Sequence, residues 1–303
     1  MMQHGTQIFI GIGGWEHEVL DRCLYSPAVA SSAEKLRSYA RLFNTVEVRP
    51  TFWDETLCAR DAEEWADAVG ERRDFLFSVK LHYSLTHRRE PAPGVLQNTG
   101  ALLDALHRRN RLGAVLAQFP LSFTCTGANR FHLEKLAAAF RNYPLHLELR
   151  HSSWDQPSLP GMLEGLGVAP VRADLPRIRQ LMNSLPRSRG DRAYLRLHGR
   201  NEKGWLSETY DARYDYLYNQ RELHEIKRRL QALPSTCTQQ FVIWNNTTSG
   251  KAVANALQLS ALLNDRGTVS VPAPALRAFP FLQQVARPDF PGTPLFDGYR
   301  EAM

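Results

Sequence analysis

The chain has 303 residues, of which 43% are hydrophobic and 22% charged, and its formal net charge is +6. These values are ordinary for a globular protein in water, and no apolar run reaches the roughly 20 residues that a membrane-spanning helix needs. The first residues also lack the basic and apolar segments of a secretion signal. We therefore expect no membrane association and a cytoplasmic location.

The cysteines and the basic residues narrow the chemistry further. The four cysteines are widely spaced and form no C-x-x-C pair, which disfavours a disulfide framework, a zinc knot and an iron–sulfur site. The basic residues fall in short clusters such as Lys227, Arg228 and Arg229, which are typical of solvated helix faces. The sequence therefore favours a small anionic partner over nucleic acid, without excluding the latter, and it predicts no oligomeric state.

Eight segments have the alternating or continuously apolar pattern of β-strands. The clearest is the fifth, in which leucines at 145, 147 and 149 alternate with His146, Glu148 and Arg150. In chain order the predicted strands are Ile8–Ile12, Thr45–Arg49, Phe75–Lys80, Ala114–Phe119, Leu145–Arg150, Pro170–Asp174, Ala193–Gly199 and Gln240–Asn246. Helices are predicted at about 34–43, 59–69, 100–109, 130–141, 214–233 and 250–263, and residues 16–32 are predicted to form a loop.

Strands that alternate with helical segments indicate a parallel sheet, and eight such units favour a single closed (β/α)8 barrel, of the TIM-barrel type, over residues 1–267. An open doubly wound sheet is the alternative, but it would concentrate polar strand ends at one switch point. Residues 268–303 contain six prolines and are predicted to form a proline-rich arm packed on the barrel. A flexible or partner-binding tail is the alternative for this arm.

Polar residues occupy the carboxyl ends of nearly all the predicted strands, which is where barrel enzymes of this kind place their active sites. Three of them, Lys80, Arg150 and Arg196, come from alternate strands and would form a clamp for an anion. The remaining candidates at these ends are Glu47, Gln118, Glu148, His151, Asp174, His198, Asn245 and Asn246. The sequence therefore predicts a small-anion site at this end of the barrel.

Roles follow from the residue types. We expect Glu47 or Glu148 to act as general acid or base with His198 as its partner, and the two amides to orient substrate. Gln118, His151 and Asp174 are predicted as further substrate contacts. The alternative is that the carboxylates only neutralise neighbouring cations within a polar layer of the barrel.

Three other functions remain open. A divalent metal held by Glu47, Glu148, Asp174 and the two histidines would suit a phosphodiesterase acting on nucleic acid, but no H-x-H or H-E-x-x-H spacing occurs, so no metal or cofactor is predicted. The same strand ends could form a non-catalytic module that binds an anion. Lys80 could also act as a Schiff-base nucleophile, although lysines at strand ends more often pair with anions.

Several short motifs, in this order, make the chain similar to the DUF72 (YecE-like) family over most of residues 8–265. They are Gly14-Trp15, Phe43-Asn44-Thr45-Val46-Glu47, Thr51-Phe52-Trp53, Phe77-Ser78-Val79-Lys80, Gln118-Phe119-Pro120, Glu148 through Trp154, Arg196-Leu197-His198-Gly199, and Asn245-Asn246-Thr247. The resemblance implies a TIM-barrel-like fold and assigns no activity. Arg49 and Pro50 depart from the usual small polar residue after the second strand.

Overall fold

The computed structural model describes residues 2–3, 5–182, 190–207 and 209–287. Eight parallel strands line up in the order β1-β8-β7-β6-β5-β4-β3-β2, so the prediction of a (β/α)8 barrel is confirmed. A two-residue strand, Met2–Gln3, pairs antiparallel with the start of β1. The strands are β1 (Thr6–Ile12), β2 (Thr45–Val48), β3 (Leu76–Lys80), β4 (Leu112–Gln118), β5 (Leu145–Glu148), β6 (Ala169–Asp174), β7 (Arg192–Leu197) and β8 (Gln239–Trp244).

The barrel closes between β1 and β2 mainly through side chains. A single parallel bridge joins Gly13 to Glu47. Below it, the Tyr39 hydroxyl accepts a hydrogen bond from the Ile12 N–H at 2.8 Å and donates one to the Thr45 carbonyl at 2.9 Å. One buried hydroxyl therefore replaces a rung of the strand ladder and satisfies two buried backbone groups.

Asn44 continues this closure one step further down. Its side-chain oxygen accepts from the Ile10 N–H at 2.7 Å, and its amide donates to the Ile8 carbonyl at 3.0 Å. The two strands also approach closely, because a Cβ atom at Gly11 would lie only 1.9 Å from the Thr45 carbonyl oxygen. Glycine is needed at position 11 for steric reasons.

Helices cover the outside of the barrel, and their ends differ from the predicted ones. A six-residue helix, Glu18–Cys23, lies in the predicted loop. The sequence did not predict it, because its two buried positions, Leu20 and Cys23, are too few to reveal a helical period. The predicted helix at 100–109 begins earlier, at Val95. The helices are α1 (Glu18–Cys23), α2 (Ser32–Ala40), α3 (Ala59–Ala68), α4 (Val95–Arg108), α5 (Gly127–Ala139), α6 (Leu159–Gly165), α7 (Glu202–Leu206), α8 (Tyr210–Arg213), α9 (Gln220–Gln231), α10 (Lys251–Leu263) and α11 (Ala273–Ala278).

Strand alternation divides the core into two parts. Outward side chains such as Leu145 and Leu147 belong to the large apolar layer between sheet and helices. The inward side chains Phe9, Tyr194 and Phe241 belong to a smaller cluster inside the barrel, where the Phe9 and Phe241 rings stack with centroids 4.9 Å apart. This plug fills the barrel below the carboxyl end, so the polar groups above it rest on a packed floor.

The described part of the predicted arm packs on the barrel. It contains α11 and the 3-10 helix Pro280–Val285, and it buries Val269, Ala275 and Leu282. Residues 288–303 of the predicted arm lie outside the described residues. Within the ranges given above, no helix is long and apolar enough to cross a membrane.

Candidate active site

The deepest part of the site is an ion network centred on Arg196 in β7. Its guanidinium donates to both oxygens of Glu47, at 2.9 and 2.7 Å, and also donates to Glu148. Arg196 is 2% exposed and both carboxylates are fully buried. The alternation of β2, β5 and β7 aims all three side chains inward, and a guanidinium matches two carboxylates in a planar arrangement.

Two hydroxyls extend this network toward the barrel floor. Tyr194, one inward position below Arg196, donates to Glu47 at 3.0 Å, and its hydroxyl lies 2.7 Å from that of Ser78. The carboxylate of Glu47 therefore accepts three hydrogen bonds, two from Arg196 and one from Tyr194. This wiring leaves Glu47 little freedom to turn toward a ligand.

His198 is fixed between an amide and a carboxylate. The Asn245 amide donates to Nδ1 of His198 at 3.0 Å, while the Asn245 oxygen lies 3.5 Å from Arg196. The proton of the neutral ring is therefore on Nε2, which lies 3.3 Å from Glu148. Burial lowers the pKa of His198 from 6.5 to about 4, so the ring is neutral at physiological pH.

Two cations lie above this network. Arg150 donates through Nε to Glu148 at 2.7 Å, and its guanidinium carbon lies 5.6 Å from the ring centroid of Trp205. The Lys80 ammonium lies 3.5 Å from the ring centroid of Phe52, a cation–π contact. Among the described residues, Lys80 Nζ has no hydrogen bond or ion pair.

A cavity of about 310 Å³ opens over these two cations. Its lining combines charged groups with aromatic walls. The described lining residues are Phe52, Trp53, Lys80, Tyr83, His87, Gln118, Pro120, Leu121, Arg150, Trp205, Arg213 and Tyr214. Three are lysine or arginine and none is aspartate or glutamate, so the described lining is basic where a ligand would enter.

The charges of the site shift the pKa of several groups. Burial alone would raise the pKa of Glu148, but the charges of Arg196 and its neighbours hold it well below the usual value. The same balance lowers the pKa of Glu47. Burial and repulsion from Arg196 hold the pKa of Lys80 well below its usual range, and burial with the nearby cations lowers that of His87 to about 4. Both glutamates are therefore ionised at neutral pH.

The structure brings most of the predicted residues together, in two tiers. Lys80, Gln118 and Arg150 line the cavity. Glu47, Glu148, Arg196, His198 and Asn245 lie beneath it as one hydrogen-bonded network. The depth of each residue could not be read from its sequence, because depth depends on the stagger of neighbouring strands.

Three predicted substrate contacts lie elsewhere. Asp174 is on the outward face of β6, where it accepts from Arg200 at 2.7 Å through both oxygens. His151 accepts a hydrogen bond from the Ser153 N–H at 3.0 Å and so caps a 3-10 turn. Asn246 donates to the Tyr216 carbonyl at 2.8 Å and secures a loop. All three point away from the cavity because they differ in parity from the inward positions.

Asp174 lines a separate cavity of about 540 Å³ on the outside of the barrel. Its charged lining is mixed: Arg177, Arg200 and Arg229 alternate with carboxylates that include Glu225. Arg200 and Arg229 both pair with Asp174. These neutralising pairs make it a less promising ligand site than the cavity at the barrel end, whose described lining has basic groups and no carboxylate.

Sequence reasoning missed several cavity residues. Arg213 ends the short helix α8, and its Nε is buried without a hydrogen-bond partner among the described residues. Trp205 in α7 and Tyr83 after β3 form part of the walls. These residues lie in loop segments that follow the strands, where no period or motif marks them. Only the general rule that such loops build the active end of a barrel could have found them.

The described residues contain no group of three or more histidine, cysteine, aspartate or glutamate side chains placed to share a metal ion. The carboxylates that the sequence offered as metal ligands, Glu47 and Glu148, are bonded to Arg196 instead.

Comparisons with known proteins agree on one family. The family model described as "Protein of unknown function DUF72" matches residues 9–278. The UPF0759 protein YunF of Bacillus subtilis is 31% identical over 278 residues, which cover 85% of this chain and 95% of that protein. A crystal structure of a DUF72 family protein from Thermotoga maritima has a TM-score of 0.73 at 30% identity and covers 84% of this chain and 98% of its own. One from Enterococcus faecalis has a TM-score of 0.73 at 25% identity, with coverages of 85% and 96%.

Proposed function

Since this chain belongs to the DUF72 family, whose description assigns no activity, we propose its function from the site itself. The protein is an enzyme that binds a small anionic substrate, bearing a carboxylate or phosphate, in the cavity at the carboxyl end of the barrel. Acid–base chemistry takes place at the groups that line this cavity.

The observation that carries the proposal is the charge of the cavity lining. Lys80, Arg150 and Arg213 line it, and among its described lining residues there is no carboxylate. Arg150 already pairs with Glu148, but neither Lys80 nor Arg213 has an ion pair among the described residues, so an anion in this space would supply a missing counter-charge. Arginine is suited to planar carboxylates and phosphates, because its fork of donors matches their oxygens.

The geometry favours different roles for these residues from those that the sequence predicted. Glu47, Glu148 and His198 lie under the cations, and the two glutamates are fully bonded to arginines. They act as positioning residues, with Glu148 holding the Arg150 fork toward the cavity. Lys80, whose amine has a strongly lowered pKa, is the group that exchanges a proton with the substrate.

The volume and walls set the size of the ligand. A cavity of about 310 Å³ is at the small end of ligand sites, which span roughly 300–1,000 Å³. Aromatic rings from Phe52, Trp205 and Tyr214 surround the charged floor and reduce its contact with water. In such surroundings each charged hydrogen bond to a bound anion is stronger than in bulk water.

The direct experiment is calorimetric titration with phosphate, small phosphate monoesters and small carboxylates. We expect one anion class to bind, and Arg150→Gln and Arg213→Gln each to weaken binding roughly tenfold or more, since a charged hydrogen bond contributes about 1.5–3 kcal/mol. Arg130→Gln, at an exposed position on α5, is the matched control and should bind like the wild type. Absence of binding by every anion, or equal binding by all the variants, would contradict the proposal.

A turnover assay distinguishes an enzyme from the two alternative functions, a binding module and a phosphodiesterase. If the protein binds one class of anion but turns over no compound in a panel of that class, it is a binding module. Cleavage of nucleic acid that depends on a divalent cation would make it a phosphodiesterase. We also propose a cytoplasmic location, which suits the four free cysteine thiols.

A further inference from the structure

Lys80 differs from its neighbours Arg150 and Arg196 in how it is held. Arg150 and Arg196 are both ion-paired with Glu148, and Arg200 is paired with Asp174. Lys80 Nζ has no hydrogen bond or ion pair within the described residues, although it lies in the cavity wall. Its observed neighbour is the face of the Phe52 ring, at 3.5 Å from the centroid.

The backbone fixes the position of this amine. Lys80 is the last residue of β3, and its carbonyl accepts a hydrogen bond of 2.6 Å from the Thr51 hydroxyl. Thr51 belongs to the 3-10 turn Pro50–Phe52, which also carries the ring under Nζ. The amine is thus presented to the cavity on a rigid strand end, with an apolar surface on one side.

Such surroundings favour the neutral amine. Burial disfavours the ammonium form, and the charges of Arg196 and Arg150 repel it, so the pKa of Lys80 lies well below its usual range. A neutral amine retains the lone pair that a nucleophile needs, and desolvation next to other cations is how reactive lysines are activated.

Resting on the proposed anion-binding function, we infer that the substrate is a small 2-oxo acid and that Lys80 forms an imine with its carbonyl carbon. The Nζ lone pair attacks that carbon, and one proton moves from the nitrogen to the carbonyl oxygen to give a neutral carbinolamine. Loss of water, with one further proton from solvent, leaves a protonated carbon–nitrogen double bond. No oxidant or reductant is consumed.

The rest of the cavity fits this substrate class. Arg150 and Arg213 supply donors for the carboxylate, and Lys80 supplies the amine for the adjacent carbonyl. Arg213 Nε is buried and has no hydrogen-bond partner among the described residues, so it has a donor to offer. The aromatic walls limit access of the water that would hydrolyse an imine.

The test is reductive trapping on the full chain. Pyruvate is added with cyanoborohydride, which delivers hydride to an imine and fixes it as a secondary amine, and the modified lysines are located by peptide mass spectrometry. We expect Lys80 to be labelled at least about tenfold faster than Lys135, because burial and the neighbouring cations lower its pKa and so favour the nucleophilic neutral amine. Lys135 is the internal control, since it also lies over a phenylalanine ring, at 4.5 Å, but at an exposed position of α5.

Two variants and one substrate control sharpen the result. Lys80→Met should lose the fast label and keep the slow one on Lys135. Arg150→Gln should slow labelling of Lys80 by pyruvate more than by acetone, because acetone has no carboxylate to hold and loses only the effect of Arg150 on the pKa of the amine. Acetone should label Lys80 more slowly than pyruvate in the wild type.

The outcomes test the imine at Lys80 separately from anion binding in the cavity. If calorimetry shows pyruvate or another anion in the cavity and Lys80 is labelled no faster than Lys135, the imine is wrong and anion binding stands. If no anion binds and no fast label forms, the proposed function fails as well. Because the comparison of two lysines is made within the wild-type protein, it does not depend on whether Lys80→Met folds.

Discussion

Arg196 donates hydrogen bonds to two buried carboxylates, so its removal leaves both charges without their main partner. A buried ion pair adds little stability compared with apolar packing, but breaking one from one side is expensive. We predict that Arg196→Met lowers the free energy of unfolding by about 3–5 kcal/mol in urea denaturation.

The control for this prediction is Arg22, which pairs with Glu18 on the surface at 76% side-chain exposure. Arg22→Met should change the unfolding free energy by less than about 0.5 kcal/mol. Equal effects of the two substitutions would show that the ion network does not exist as described.

At the residue scale, His146 makes the free energy of unfolding depend on pH. It lies inside the barrel beside the Tyr194 ring and donates from Nδ1 to the Pro144 carbonyl at 2.9 Å. Burial lowers its pKa from 6.5 to about 4. The unfolded chain therefore binds the proton first as pH falls, so this contribution to stability is full above pH 6.5 and is lost between about pH 6.5 and 4.

The expected loss from this histidine is about 3 kcal/mol, at 1.36 kcal/mol for each unit of pKa. Urea denaturation at several pH values measures it, and His146→Gln should flatten the decline between pH 6.5 and 4. The exposed His224, on α9, is the matched position, and His224→Gln should keep the wild-type slope. An unchanged slope in His146→Gln would rule out this residue as the cause.

At the scale of elements, Tyr39 completes the barrel. Its hydroxyl satisfies the Ile12 N–H and the Thr45 carbonyl, which otherwise have no partner at the seam between β1 and β2. We predict that Tyr39→Phe costs about 1–3 kcal/mol of unfolding free energy, the desolvation penalty of buried groups left unpaired. Tyr143→Phe is the control, since that hydroxyl bonds the exposed Asp104, and it should cost clearly less. Equal costs would contradict a structural role for the seam.

Alternation within elements explains what the sequence could and could not predict. The period of two in β5 correctly assigned Leu145 and Leu147 to one face and Glu148 to the other. In β6 the same alternation places Asp174 on the outward face. The sequence could not show whether the even-numbered or the odd-numbered residues of this strand face the barrel interior. Asp174 on the outward, helix-facing side of this strand is neutralised by Arg200 and Arg229, which come from segments far along the chain.

At the scale of the whole molecule, the described part of the arm, residues 268–287, packs on the barrel. Leu282 is fully buried although it lies beyond the barrel helices. We predict that Leu282→Ala lowers the unfolding free energy by about 2–5 kcal/mol in a single transition, as for other buried leucines. Phe281→Ala, at a neighbouring position with 36% exposure, should cost less. A separate early transition for Leu282→Ala would mean that the arm folds independently.

The eight strands and the polar residues at their carboxyl ends, which form the candidate site, could be predicted because both depend on local pattern. The closing seam, the two tiers of charge and the contribution of Arg213 could not, since each depends on contacts between distant segments. Tyr39 and Thr45 meet only once the barrel closes. Such long-range contacts leave no period in the sequence.

The central claim is that the cavity over Lys80, Arg150 and Arg213 holds a small anion. The most direct measurement is a crystal structure with selenate, whose anomalous signal locates the anion without reference to any model of the site. We expect a peak in this cavity, within hydrogen-bond distance of Arg150 and Arg213, and its loss in Arg150→Gln. If saturating selenate gives anomalous peaks only on the outer surface and none in the cavity, the account is contradicted.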